Sequence, residues 1–401
     1  MCGWIGTPWN VTGTRVDPAG AGRTAGVLRI TGITATPVEV PRLARFLPKT
    51  AHGSVPASRY VVLEVECGPG RVGLGEITCD PLWNGEEALE TSRLLRGPLG
   101  DALIGADPLQ WADVSARIDR VISNRPFLRA AVEMACLDVA GRRFGMPAHA
   151  FLGGAYRTRI ATKLVLPARD EKTVRAMAAD AAGLGATTLK VKVGMGVEED
   201  LARVEAVRSV AGPDVRITVD ANEGWSPEEA ATAFERLAAL GVVAVEQPLP
   251  RKSASASAAL LRSTSMAVMG DESIWTATDV VEAARHRSFD TVNLYPGKCG
   301  GLRRTIRMAH LARTLGLAVS FGSNLELGVG AAAMAHTAAA TKDLSQRVPS
   351  DLIGPLYFEA TMVEEAGFVG WRSATVPTGA GLGVRLDRGA LDAYRIPEGA
   401  A

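Results

Sequence analysis

Between residues 159 and about 342, short β-branched runs alternate with amphipathic helical stretches. No other feature restricts the fold of this chain as strongly. The runs lie at 160–165, 188–193, 216–219, 242–245, 267–269, 291–294 and 317–321. Apolar residues between them recur at helical spacing, as Leu201, Val204 and Val207 do within 198–210. Ser226-Pro227-Glu228-Glu229 is a helix start, with Ser as N-cap, Pro at the first helical position and Glu at N3. Seven βα units fit the span, and 351–357 is the expected closing strand. Alternation this regular predicts an α/β chain built on a parallel barrel of the (β/α)₈ class rather than an open doubly wound sheet. No Gly-x-Gly-x-x-Gly opens a helix after the first strand, which argues against dinucleotide binding.

Residues 27–154 are patterned differently. Alternating apolar residues at 60–66, a Gly-Pro-Gly turn at 68–70 and a second run at 71–77 predict a hairpin. Helical periodicity follows at 86–99 and 127–145. In the second stretch Ala131, Ala135 and Asp138 share a face, and Gly145-Met146-Pro147 stops it. Strands first and helices after predict an α+β unit. Residues 1–26 show neither periodicity nor a basic segment leading into an apolar one, so they are expected to be a mobile extension and not a secretory signal. The longest apolar stretches, such as 237–245, fall far short of the roughly 18 residues of a membrane span. With 44 Lys and Arg against 43 Asp and Glu, no charge excess points to nucleic acid. The five cysteines are scattered without metal-ligand spacing, as expected of a cytoplasmic protein.

In a βα barrel, functional side chains sit at the C-terminal ends of the strands. Those ends read Lys190-Val191-Lys192, Asp220-Ala221-Asn222, Glu246-Gln247-Pro248, Asp271-Glu272-Ser273, Tyr295-Pro296-Gly297-Lys298 and Ser323-Asn324-Leu325-Glu326. Lys192 to Asp220 is 28 residues, Asp220 to Glu246 is 26, and Glu246 to Asp271 is 25. Each step is one βα unit, so one depth of the barrel receives a cation and then three carboxylates. Three converging carboxylates repel one another unless a positive charge lies between them. An all-oxygen set favours Mg²⁺, with Mn²⁺ as the alternative, over Zn²⁺. Separate pairing of each acid with a neighbouring Arg is the plainer alternative, and it has to recur at three consecutive strands. Lys190 and Lys192 stand at i and i+2 and share a face, while Leu189, Val191 and Val193 take the other. Two adjacent ammonium groups are expected to push at least one toward the neutral amine that a general base requires.

These strand ends, with Gly300-Gly301 after the sixth strand, resemble the enolase superfamily, and within it the muconate-lactonizing subgroup of the mandelate racemase/muconate lactonizing enzyme family. The stretch 131–154 resembles the end of that family's capping domain. The resemblance implies an N-terminal α+β capping domain (27–154), a modified TIM barrel, (β/α)₇β (155–365), and a C-terminal segment (366–401) that returns to the cap. It also implies a homo-oligomer and a small carboxylic-acid substrate. Asp220, Glu246 and Asp271 would hold the metal, with Asn222 nearby. Lys192 would remove the proton α to the substrate carboxylate, tuned by Lys190, and the metal would stabilise the enediolate.

Two features bear on the reaction. Many members of the subgroup carry a second lysine on strand six, where this chain has Tyr295. Lys298 lies three residues on, so a regular strand would face it away from the site unless Pro296-Gly297 re-aims it. One-base chemistry, with Tyr295 as hydrogen-bond donor or acid, is therefore expected, either cycloisomerisation or dehydration. An amino-acid or dipeptide epimerase is the alternative, and a barrel that binds metal and acid without turnover is the alternative of another class. A Schiff-base aldolase leaves the carboxylate trio without a role. Specificity is expected from the cap. His52, in the Gly- and Pro-containing loop 46–58, and Trp83 would meet substrate, although Trp83 could equally pack between domains. Glu326 is either an active-site acid or the N-cap of a helix at 328–339. His310 and His336 fall within helical segments and are expected to be surface or packing residues.

Overall fold

The computed structural model describes residues 28–46 and 56–397; the expected mobile extension and His52 lie outside them. The cap sheet is antiparallel, in the order β1 (Gly32–Pro41), β2 (Ala57–Glu66) and β3 (Val72–Cys79). The predicted hairpin is β2–β3, and its turn places Gly68 and Gly70 at φ values of 90° and 68°, open to glycine without strain. The sequence reading did not single out β1. It carries Pro37 and Pro41 on an edge strand, where a missing N–H costs no ladder bond. Four helices follow: α1 (Ala88–Arg96), α2 (Pro98–Leu103), α3 (Trp111–Val121) and α4 (Pro126–Phe144).

Helix α4 packs directly on β3. A Cβ on Gly75 would lie 2.2 Å from Ala131 O, and one on Gly73 2.0 Å from Ala135 O. The small-residue face of α4 thus meets backbone. Gly145 ends the helix at φ 67°, as the stop signal predicted. Asp138, on that face, accepts from Leu74 N at 2.9 Å, Arg142 Nε at 2.9 Å and Leu382 N at 2.7 Å, so one buried carboxylate links hairpin, helix and C-terminal segment.

The expected first barrel strand divides in two. β4 (Arg159–Ala161) pairs antiparallel with Ser373–Thr375, and β5 (Leu164–Leu166) enters the barrel sheet. Beside β5 stand, in order, β6 (Thr188–Lys192), β7 (Arg216–Asp220), β8 (Val242–Glu246), β9 (Ala267–Gly270), β10 (Thr291–Leu294) and β11 (Ala318–Phe321), all parallel. Helices α5 (Glu171–Gly183), α6 (Val197–Ala211), α7 (Pro227–Ala239), α8 (Ala254–Ser263) and α9 (Ala277–His286) connect them, followed by α10 (Pro296–Cys299), α11 (Leu302–Thr314) and α12 (Gly328–Ala340). Ser226 and Glu229 form the predicted capping box of α7.

The expected closing strand at 351–357 does not form. Pro355 lacks an N–H, and Gly354–Leu356 is a single 3₁₀ turn. The residues just before it close the sheet instead. Lys163 N donates to Ser350 O and Ser350 N to Ala161 O on one side, and Asp351 N donates to Phe321 O on the other. The seven-stranded sheet thus curls until its two edges share one segment.

Tyr60 and Glu76 are among the cap side chains that bond to the barrel. Tyr60 Oη donates to Leu325 O at 2.7 Å and holds a residue at φ 57°. Glu76 accepts from Leu327 N at 2.6 Å and Gly330 N at 3.0 Å, capping α12 from the other domain. Burial pushes the Glu76 carboxyl up to about 8 from 4.5. Glu76→Ala leaves two buried N–H groups unpaired and should lower stability by about 1–3 kcal/mol in urea denaturation. The raised folded-state value means that the contribution of protonation at Glu76 is fully present below pH 4.5 and lost as pH rises through about 8. Glu76→Gln should therefore flatten the dependence of stability on pH across that window.

Candidate active site

The parallel register sets the site. Lys192 pairs with Asp220, Asp220 with Glu246, and Glu246 with Met269, two residues before Asp271. The chain turns sharply after each strand, with Asn222 at φ 43° and Gln247 at φ 36°, conformations that non-glycine residues hold only when their surroundings impose them. Gln247 shows how. Its fully buried amide oxygen accepts from Asp271 N at 3.0 Å and Ser273 N at 3.2 Å, and its nitrogen donates to Leu249 O at 2.8 Å and Ser273 Oγ at 2.9 Å. Glu-Gln-Pro is therefore a device by which one strand end positions the next.

Lys190 lies at the centre of the charges. Its Nζ is 2.9 Å from Asp220, 2.8 Å from Glu246 and 3.0 Å from Asp351. The pairing in sequence predicts that at least one of the two lysines is pushed toward the neutral amine. At Lys190 the opposite holds: burial favours the neutral amine, but Asp220, Asp351 and Glu246 outweigh it and hold the ammonium well above its usual range. Burial would raise Asp220, yet Lys190 and Lys192 keep it below the ordinary carboxylate range. Burial and the Asp220 charge push Glu246 up to about 7. Lys192 Nζ donates to Asp220 Oδ2 and Asn222 Oδ1, both at 2.6 Å, and Asn222 Nδ2 donates to Glu272 at 2.9 Å. Burial and Asp271 push Glu272 up to about 8.

Lys298 departs from the expected strand geometry. β10 ends at Leu294, and α10 curls Lys298 back under the site. Its buried Nζ donates to the Asp271 carboxylate, to Asp271 O at 2.8 Å and to Asn293 O at 2.9 Å. It faces neither the helix layer nor the cavity.

A cavity of about 210 Å³ opens above these strand ends. Lys190, Lys192, Asp220, Asn222, Asp271, Tyr295 and Asp351 line it from the barrel, and Arg42, Phe46, Asp80 and Trp83 from the cap. Glu246 lies behind Lys190, outside the lining. Trp83 packs between the domains, on Trp275 (5.1 Å between centroids), Tyr295 (6.2 Å, stacked) and Phe127 (5.9 Å), and also lines the cavity. Burial, then the Asp271 and Glu326 charges, hold the Tyr295 phenol well above its usual range, so at neutral pH it is a donor. Glu326 neither lines the cavity nor caps α12. Its carboxylate accepts from Ser323 Oγ and from Asn324 N, and Glu76 takes the capping role. His310 is exposed, and His336 is a buried packing residue whose Nδ1 lies 3.0 Å from that of His149.

Sequence reasoning missed Lys163, Asp351 and Asn293. Lys163 is fully buried, 3.0 Å from Asp351 and bonded to Pro349 O, and Asn293 donates to Glu246 Oε1 at 3.0 Å. A lysine inside the β-branched run 160–165 was the available signal. Asp351 was read as the start of a strand when it is the end of the closing segment.

Residues 32–153 match the mandelate racemase/muconate lactonizing enzyme N-terminal domain, and 172–390 match a domain described as enolase C-terminal domain-like. The chain belongs to the mandelate racemase/muconate lactonizing enzyme family of the enolase superfamily. A hydrophobic dipeptide epimerase of Enterococcus faecalis is 31% identical over 300 residues, 74% of this chain and 83% of the relative. The crystal structure of a muconate lactonizing enzyme from Pseudomonas fluorescens complexed with muconolactone is 28% identical, covers 92% of this chain and 100% of its own, and superposes with a TM-score of 0.87. That of a dipeptide epimerase from Enterococcus faecalis, complexed with Mg and the dipeptide L-Leu-L-Tyr, is 28% identical, covers 89% and 99%, and gives 0.83. This chain is an enzyme of the mandelate racemase/muconate lactonizing type.

Asp351→Ala would leave the Lys163 ammonium buried without the carboxylate it pairs with among the described residues and free one side of Lys190. A loss of about 3–5 kcal/mol in chemical denaturation is expected, against a smaller loss for Asp351→Asn.

Proposed function

We propose that this enzyme moves the proton α to the carboxylate of a small organic acid through an enediolate, with Lys192 as the base and Mg²⁺ at Asp220, Glu246 and Asp271. The observation that carries the reading is the placement of Lys192 beside Asp220 at the cavity wall, with Tyr295 lining the same cavity. Among the described residues, no three His, Cys, Asp or Glu side chains surround one point closely enough to hold an ion as they stand. The donor set nevertheless fits one. Asp220 and Glu246 already share a single cationic centre, Lys190 Nζ, and Lys298 neutralises Asp271. Buried carboxylates that recruit two ammonium groups would accept a hard dication once Lys190 shifts toward Asp351 and Asp271 turns from Lys298. Mg²⁺ held there would supply positive charge to stabilise negative charge developing on the substrate carboxylate.

The chain's own groups do the rest. Lys192 Nζ takes or returns the α-proton; Asn222 orients that amine; Lys190, held charged, faces the substrate carboxylate. Tyr295 donates to charge developing on the far side, a donor's task that its high-held phenol suits. The stacked Trp83 ring covers Tyr295 and limits water around it. Lys298, tied to Asp271 and Asn293 beneath the cavity, is poorly placed as a second base. This supports one-base chemistry, cycloisomerisation or dehydration, over epimerisation. Relatedness to a dipeptide epimerase keeps the epimerase as the second reading.

Titration calorimetry with Mg²⁺ should show one site per chain, lost in Asp220→Asn, Glu246→Gln and Asp271→Asn. Unchanged affinity in any two of these variants defeats the ligand assignment. In D₂O, exchange of the α-proton of muconolactone or a related small acid, followed by NMR, should fall by about 10²–10⁴ in Lys192→Ala and by less in Tyr295→Phe. Exchange lost for opposite enantiomers in Lys192→Ala and Lys298→Ala would establish the epimerase instead.

A further inference from the structure

Helix α11 carries Arg303, Arg304, Arg307 and Arg313 and no acidic residue. Arg303, Arg304 and Arg307 stand in its first two turns, toward the positive end of the helix dipole, where basic side chains are disfavoured. Arg303 is answered by Glu133 of α4, whose Oε1 accepts from its Nη1 at 2.7 Å. Arg304 and Arg307 have neither a hydrogen-bond acceptor nor a carboxylate within ion-pair distance among the described residues. Arg129 of α4 joins them. A Cβ on Gly300 would lie 3.1 Å from Arg304 Nη1 and 3.7 Å from Arg129 Cδ, so the two side chains flank one glycine. Arg129 and Arg303 also share the Trp111 ring of α3, at 6.0 and 5.8 Å from its centroid.

Arg129 is only 6% exposed, and its Nε, shielded from solvent, has no acceptor among the described residues. Its other nitrogens donate to Asp119 and Ser115. Four guanidinium groups thus meet two carboxylates, Asp119 and Glu133, along one seam between cap and barrel. Burial and the charges of Arg129 and Arg307 pull the Arg304 guanidinium below its usual range. Like charges gathered this closely destabilise one another unless a counter-anion lies among them. The planar fork of arginine matches phosphate oxygens two at a time, so one tetrahedral oxyanion can engage several of these donors. None of the four arginines lines the catalytic cavity.

We infer that this seam is an anion site, separate from the catalytic cavity, where Arg304 and Arg307 hold a phosphate-type oxyanion and Arg129 and Arg303 add charge from behind. The inference is independent of the reaction proposed above. With the full-length protein, no added metal and about 0.1 M NaCl, where exposed charges are only partly screened, calorimetry should show pyrophosphate binding. The double variant Arg304→Gln/Arg307→Gln should weaken it at least about tenfold, and Lys192→Ala, in the cavity, should leave it unchanged. Orthophosphate and glycerol 3-phosphate, titrated in parallel, decide between the free ion and an ester as the tighter ligand. Without any anion the double variant should melt no lower than the wild type, because repulsion is relieved; arginines with a purely structural role would make it melt lower. Absent binding, binding unchanged in the double variant, binding lost in Lys192→Ala, or a lower melting temperature without the anion each overturns the inference and leaves the active-site reading intact.

Discussion

The site is organised around a buried ammonium. Lys190 Nζ touches carboxylates from β7, β8 and the closing segment, so three parts of the barrel remote in sequence meet at one positive charge. Carboxylates gathered this tightly in a dry interior would otherwise take up protons, as the elevated Glu246 shows. Lys163, Lys192 and Lys298 extend the same solution outward, each facing one of the surrounding acids. Such a cluster is a poor source of net stability, because desolvation offsets most of the attraction. Its value is positional: it holds Asp220 ionised and aims the carboxylates at one place.

That arrangement needs rigid walls, and these come from contacts across the domain boundary. Glu76 of the cap completes a barrel helix, Tyr60 of the cap holds the Ser323–Leu325 loop, and Asp138 ties in the C-terminal segment. The cavity is consequently shared, lined from the barrel by strand-end residues such as Lys192 and Asp220 and from the cap by Arg42 and Trp83.

Elements with a local cause were legible in advance. The Ser226 capping box, the Gly68 and Gly70 turn and the Gly145 stop each rest on a few adjacent residues. The failures share a different cause. Leu164–Leu166 separated from Arg159–Ala161 because a strand more than 210 residues away, Ser373–Thr375, captured the first half. The segment at 351–357 failed as a strand because Gly354 must lie against the Glu326 backbone, with room for no Cβ at 1.9 Å, and because Pro355 cannot donate.

The order of the βα units and the common phase of Lys192, Asp220, Glu246 and Asp271 were written in the sequence itself. Both follow from local periodicity: a two-residue repeat along each strand and one βα unit per step. Which charges pair was decided only by the tertiary structure. Lys190 meets Asp351 across 161 residues, Glu76 meets Leu327 across 251, and Lys298 reaches Asp271 because one helical turn replaces the end of a strand. A side chain's partner in a buried cluster depends on closure of the whole sheet and on where the cap settles, and no spacing along the chain encodes either.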